Sequence, residues 1–223
     1  MANALDLEEQ EQLDQLKHFW KTWGNLISWL LIAVMGSYAV WNGYQYWQRG
    51  QAAKAAALFE EVERAVAARD LARVERSLAD MKDKFASTQY AQQAALLAAK
   101  SLQEQGKSDA ARAALTWVVT DANDPAYRDI ARLRLTGLLL DAKLYDDALK
   151  QLTPAFVPAM NGLAGDLRGD VLQAKGQSSE AAAAYQQAWA ALADTPDYRR
   201  IVQAKLNALG RDPQAATATE TTK

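Results

Sequence analysis

The amino-terminal part of the chain contains one long run of apolar and uncharged residues. Residues 22–48 carry no formal charge and lie between Lys21 and Arg49. As a helix, these 27 residues would extend about 40 Å, more than the roughly 30 Å hydrocarbon core of a bilayer. The pattern therefore predicts a transmembrane helix over residues 22–48.

Aromatic side chains gather at both ends of this run, as is typical of the two water–lipid interfaces. They are Trp20 and Trp23 at one end and Trp41, Tyr44, Tyr46 and Trp47 at the other. A cleaved signal peptide is the alternative, with Ser37-Tyr38-Ala39 as the cleavage site. The preceding segment argues against it, because that segment is long and acidic where a signal peptide is short and basic. Flanking lysines and arginines balance, so charge does not predict the orientation.

Beyond residue 49 the apolar positions follow a helical period almost without pause. Amphipathic stretches at about 51–68 and 70–85 come first, and helices in pairs follow. Three segments share an apolar helix, a short polar turn and a second helix that opens on an alanine: Ala111, Ala148 and Ala181. The alanines are 37 and 33 residues apart, which brackets the 34-residue period of tetratricopeptide repeats. The chain resembles that family over units of about 90–124, 127–160 and 162–194, with an atypical first repeat before Gln89 as a further option.

The repeat resemblance implies a small residue packed against a large one in each pair of helices. The large residues would be Leu115, Leu152 and Tyr185. Gly106 and Gly176 are expected in a left-handed conformation at the end of a first helix, and Gly169 where two helices approach closely. At the equivalent positions of the middle unit stand Lys143 and Thr136.

A last helix is predicted to begin at Thr195-Pro196, with the threonine as its cap, and to end at Gly210. It would cover the open apolar end of the solenoid. The predicted architecture is therefore all-α, with a single amino-terminal transmembrane helix followed by a tetratricopeptide-repeat-like α-solenoid over residues 49–209 and a carboxy-terminal capping helix. Residues 210–223 are interpreted as a disordered tail.

Charge and composition exclude several classes of function. The whole chain has a net charge of −2, and residues 1–21 alone have a net charge of −3, so the remaining residues have a net charge of +1. This nearly neutral part lacks the stripe of lysine and arginine that binding to a nucleic-acid backbone requires. The chain has no cysteine and a single histidine, His18, which leaves no catalytic triad and no cysteine or multi-histidine metal site. Paired carboxylates, such as Asp166 and Asp170, are interpreted as solvated surface charge. We therefore expect no enzyme, no cofactor and no metal.

A short helical solenoid offers instead a concave face, lined by the first helix of each pair, that suits a segment of another protein. The repeat pattern places eight residues on this face, although each has an ordinary exposed or packing role as its alternative. These candidate groove residues are Lys100, Gln103, Leu133, Gly137, Asp141, Asp166, Asp170 and Gln173.

Taken together, the acidic segment 1–21, the single apolar run and the alanine-rich repeats resemble the YfgM family, the ancillary subunits of the bacterial SecYEG translocon. The segments that carry the resemblance are Leu133-Arg-Leu135, Asp166-Leu-Arg-Gly-Asp170 with Lys175-Gly176, and Ala204-Lys-Leu-Asn-Ala-Leu209. The resemblance implies a single-pass protein of a bacterial inner membrane, with a cytoplasmic amino terminus and periplasmic repeats. The implied partners are the SecYEG translocon, a PpiD-like membrane-anchored chaperone, exported polypeptides and the lipid bilayer, which residues 22–48 would cross.

Fold and anchor alone would serve other roles as well. One alternative is a scaffold of another envelope assembly, such as that of cell division or cytochrome maturation. Another is an envelope-stress regulator that acts through the cytoplasmic segment 1–21. An enzyme of unknown type is the weakest alternative, since few residues could support its chemistry.

Overall fold

The computed structural model describes residues 7–211, with side chains from residue 11 onward. The described part of the chain is helical and contains no strand, so the all-α prediction is confirmed. In chain order its α-helices are α1 (Leu7–Ala67), α2 (Leu71–Phe85), α3 (Gln89–Glu104), α4 (Ser108–Asp121), α5 (Pro125–Asp141), α6 (Tyr145–Gln151), α7 (Asn161–Ala174), α8 (Ser178–Ala191) and α9 (Pro196–Ala208). A 3-10 turn at Pro158–Met160 precedes α7.

The chain divides into two compact units after Gln51, and the apolar run lies in the first. Large apolar side chains stand exposed along it, for example Leu30 at 60% and Val40 at 74%. Such a surface is unfavourable in water and favourable against lipid tails. By length and composition α1 contains a stretch able to cross a membrane, which fits a membrane-anchored protein. The limits 22–48 remain a prediction, and residues 1–6 of the acidic segment lie outside the described part.

The second unit is built from helix pairs. Helix α3 packs against α4, α5 against α6, and α7 against α8, and the first helices α3, α5 and α7 also contact one another in series. Residues 52–67 and α2 supply a further pair, since Arg73 of α2 donates to Glu61. Residues 52–67 also contact α3, because the Phe59 ring lies 5.8 Å from that of Tyr90. This succession of neighbouring pairs is the arrangement of an α-solenoid.

The small and large residues of the repeat pattern are buried at the predicted positions. Ala111, Ala148 and Ala181 are fully buried, and so are the large partners Leu115, Leu152 and Tyr185 to within 5%. Close approach is tightest at Gly169, where an added Cβ would lie 2.3 Å from Cε1 of Tyr185. Only a residue without a side chain allows α7 and α8 to pack at this distance.

The ends of the first helices also agree with the repeat pattern. Gly106 and Gly176 have φ angles of +77° and +83°, and Lys143 adopts +59° at the equivalent position of the middle unit. The left-handed region costs a residue with a Cβ roughly 1–2 kcal/mol. Lys143 therefore carries backbone strain that the two glycines avoid.

Helix α9 begins at Pro196, and Gly210, with a φ of +69°, follows its end. Thr195 occupies the cap position, but the predicted capping bond is wrong. Its hydroxyl donates to the carbonyl of Leu192 at 3.2 Å and accepts no bond from the helix. Val202 and Leu206 of α9 are fully buried and join a small core with α8, so the helix covers the last pair as predicted. Residues 212–223 of the predicted tail lie outside the described part.

Candidate functional site

The first helices of the pairs carry the eight candidate groove residues. Four of these residues are exposed, namely Lys100, Gln103, Asp141 and Gln173. Leu133 and Gly137 are half-buried on α5, and no atom lies within 4 Å of a Cβ built at Gly137. The surface of α3 and α5 is therefore open at these positions, and their role in binding remains a prediction.

Two hydrogen bonds that sequence reasoning missed fix the neighbouring first helices. Nη1 of Arg134 on α5 donates to the carbonyl of Leu96 on α3 at 3.1 Å. The side-chain amide of Gln93 on α3 donates to the hydroxyl of Tyr127 on α5. Because both bonds join α3 to α5, they hold the two helices that present most of the open candidate residues.

The acidic pair on α7 is not open. The Nζ of Lys205, on α9, lies 2.8 Å from Asp166 and 2.7 Å from Asp170. The hydroxyl of Tyr198 donates to Asp166 at 2.8 Å, and that of Tyr185 donates to Asp170 at 2.7 Å. We call these five residues the α7–α9 lock.

The lock corrects two interpretations made from the sequence. Asp166 is predicted as a groove residue, but its side chain is only 4% exposed because α9 covers it, so the structure does not present it on an open surface. Asp170 is half-buried and fully engaged with Lys205 and Tyr185. The pair is also not the solvated surface charge that the sequence suggested.

The lock holds its protons tightly. Burial alone would lower the pKa of Lys205, but hydrogen bonds to Asp166 and Asp170 outweigh it and raise that pKa. Burial, followed by hydrogen bonding to Asp170, raises the pKa of Tyr185 above its ordinary value. The pKa of Tyr198 rises through burial and its bond to Asp166. The cluster is therefore a structural joint between α7 and α9, with its carboxylates already engaged.

A second charged cluster lies on α5, where Arg132 and Asp129 are both buried. Nη1 of Arg132 donates to Asp129 at 2.8 Å, and its Nε donates to the carbonyl of Gln151 at 2.9 Å. The other oxygen of Asp129 accepts from the backbone N–H of Val157 at 2.7 Å. The Phe156 ring covers the guanidinium, with its centroid 3.8 Å from Cζ. This clamp secures the extended segment that follows α6.

An open-sided cavity of about 550 Å³ adjoins the clamp. Its walls include Val119, Pro125, Phe156 and Val157, and Arg128 also lines it. Neither Arg128 nor Arg132 is predicted from the sequence as a functional residue. The sequence does contain a signal for this cluster, since Asp129 and Arg132 lie on the same face of α5 as its buried alanine and leucine residues. Charges on a buried face need partners.

Within residues 11–211, no three histidine, cysteine, aspartate or glutamate side chains converge as potential metal ligands. The arrangement instead offers surfaces, a cavity and charged side chains suited to recognition.

Comparison with known proteins identifies the class. Residues 17–211 match the model of the tetratricopeptide repeat-like domain. No solved structure matches the chain. The chain is thus a tetratricopeptide repeat-like protein, as the helix pairs indicate.

Named relatives define the family. A Neisseria gonorrhoeae protein named ancillary SecYEG translocon subunit is 32% identical over 207 residues, covering 92% of this chain and 99% of the relative. Proteins of the same name from Haemophilus influenzae and Escherichia coli are 29% and 26% identical, over 83% and 90% of this chain and 90% and 96% of their own lengths. The chain belongs to this family, the ancillary SecYEG translocon subunits, and the resemblance stated from its sequence is confirmed.

Proposed function

We propose that the chain is a membrane-anchored ancillary subunit of the SecYEG translocon and that its repeats bind protein segments. The observation that carries this proposal is the near full-length match to relatives that bear that subunit's name. An exposed apolar stretch in α1 and a repeat fold suited to protein binding support it.

In this proposal residues 22–48 cross the inner membrane, the amino terminus is cytoplasmic, and the repeats face the periplasm. There they bind exported polypeptides and a PpiD-like membrane-anchored chaperone. Confinement near the translocon raises the local concentration of the repeats, so that weak binding suffices. The open candidate residues, among them Gln103, Leu133 and Gln173, supply the contact surface.

The role is binding and positioning, without catalysis. The two carboxylates of the α7–α9 lock are bonded to Lys205. The carboxylate of Asp129 is bonded to Arg132 and to the backbone N–H of Val157. What remains accessible among the candidate residues of the first helices is a mixture of amide, lysine, aspartate and leucine side chains. Such a surface suits polypeptide recognition through many modest contacts.

Affinity purification tests the proposal. A tagged full-length chain is isolated from detergent-solubilised membranes, and co-purifying proteins are quantified. We expect enrichment of SecYEG. If the anchor supplies the contact, replacing residues 22–48 with an unrelated transmembrane helix should abolish that enrichment. If the repeats supply the contact, removing the repeats should abolish it. Enrichment of cell-division or cytochrome-maturation components in place of SecYEG would contradict the proposal.

A further inference from the structure

The cavity beside the α5 clamp contains an arginine, Arg128, that has no side-chain partner among the described residues. The Nε of Arg128 is shielded from solvent and makes no hydrogen bond within the described part of the chain. Among the described residues, no carboxylate oxygen lies within 4 Å of the Arg128 guanidinium, whereas that of the neighbouring Arg132 has Asp129 at 2.8 Å. A shielded donor without a partner is unfavourable. Arg128 also lines the cavity, so an acceptor there can bond to the remaining N–H donors of its guanidinium.

Neighbouring charges do not neutralise Arg128. Asp129 also lines the cavity, but one of its oxygens accepts from Arg132 and the other from the N–H of Val157. Arg132 and Asp129 thereby cancel each other, and their side chains are each 6% exposed. The cavity is left with one uncompensated positive charge.

The size and walls of the cavity define the occupant further. A volume of about 550 Å³ falls in the range of about 300–1,000 Å³ that ligand pockets occupy. One guanidinium balances one carboxylate, to which it presents a planar pair of donors. A phosphate group would bring more negative charge than this cavity compensates. Pro125, Phe156 and Val157 add apolar contact beside the arginine.

We propose that this cavity binds an aspartate or glutamate side chain of a partner polypeptide, with an adjacent apolar residue against Phe156. Arg128 is the residue that recognises the carboxylate. The clamp of Arg132 and Asp129 holds the Phe156 wall in place. This inference deepens the proposed protein-binding role and rests on it.

A peptide titration of the full-length chain in detergent tests the proposal. The probe is the blocked peptide acetyl-Ala-Leu-Glu-Phe-Ala-amide, and binding is followed through the Nε–H NMR resonance of Arg128 and by calorimetry. Replacing the probe's glutamate with glutamine is expected to weaken binding about tenfold, as losing a charge-assisted hydrogen bond does. Arg128→Gln should weaken binding of the acidic probe equally, and Arg128→Lys should weaken it less.

Arg76→Gln supplies the matched control, because Arg76 is an exposed arginine on α2. It should bind the acidic probe as the unaltered chain does. Equal binding of the two peptides, or an unchanged affinity in Arg128→Gln, would overturn the proposal. A shift of the Arg128 resonance with phosphatidylglycerol vesicles but not with the peptide would also overturn it and indicate a lipid site. Co-purification of SecYEG together with a failed titration would refute this inference alone.

Discussion

Replacing Lys205 with methionine removes the one cation of the α7–α9 lock and keeps a chain of similar length over the Tyr185 ring, which lies 5.4 Å from the ammonium. Asp166 would keep the hydroxyl of Tyr198 as a partner but lose its counter-charge while only 4% exposed. Removing one partner of a buried pair costs about 3–5 kcal/mol. Since the Lys205 side chain is 29% exposed, we expect a smaller loss, of about 2–3 kcal/mol.

Hydrogen–deuterium exchange of the full-length chain in detergent measures this loss locally. Amides of α9, such as those of Val202 and Leu206, should exchange about 30- to 140-fold faster, because each 1.4 kcal/mol is a factor of ten. Arg200→Met is the control on the same helix, where the exposed Arg200 lies 3.8 Å from Asp197. It should change exchange by less than about fivefold.

A combined variant separates charge from packing. Adding Asp166→Asn and Asp170→Asn to Lys205→Met removes the buried negative charges, so α9 should exchange more slowly than in Lys205→Met alone. Unchanged exchange in Lys205→Met, within threefold of the unaltered chain, would refute the account of the lock.

Three further predictions concern helix packing, alkaline pH and backbone strain. Gly169→Ala should destabilise the repeats by about 1–3 kcal/mol in chemical unfolding, because its Cβ meets the Tyr185 ring, whereas Gly137→Ala, with open space, should not destabilise them. As pH rises from about 10 through the raised pKa values of Tyr185, Tyr198 and Lys205, the stability that the lock contributes should be lost. Absorbance at 295 nm should show tyrosines that ionise at unusually high pH, and Tyr185→Phe and Tyr198→Phe should remove this late ionisation. Lys143→Gly should raise stability by up to about 1 kcal/mol, and a thermal melt with no increase would contradict the strain at its φ of +59°.

Much of the fold was predictable because each repeat places the same types of residue at the same packing positions. Buried alanines at the start of second helices and left-handed glycines after first helices are local features that recur in register. The middle unit departs from this regularity. Its second helix ends at Gln151, and Pro154 and Pro158 follow in the extended segment and the 3-10 turn. Proline cannot continue a helix interior, so the early end has a local cause.

The lock and the clamp were harder to predict because their partners are distant in sequence. A spacing of four residues between two carboxylates is the same in the sequence of an exposed helix and in that of a helix covered by another element. The covering residue, Lys205, lies 39 positions after Asp166. Arg132 likewise binds carbonyls about 20 positions later. Periodicity reports which face a residue occupies, whereas these contacts depend on how separate elements pack.

In-cell photo-crosslinking tests directly whether the repeats bind protein segments through the surface of their first helices. A photoreactive phenylalanine replaces the exposed Gln103 on α3 and, as the control, the exposed Gln187 on α8. We expect capture of SecYEG, a membrane-anchored chaperone or exported chains at Gln103 and little capture at Gln187. Equal capture at both positions, or capture of unrelated assembly components at Gln103, would contradict it.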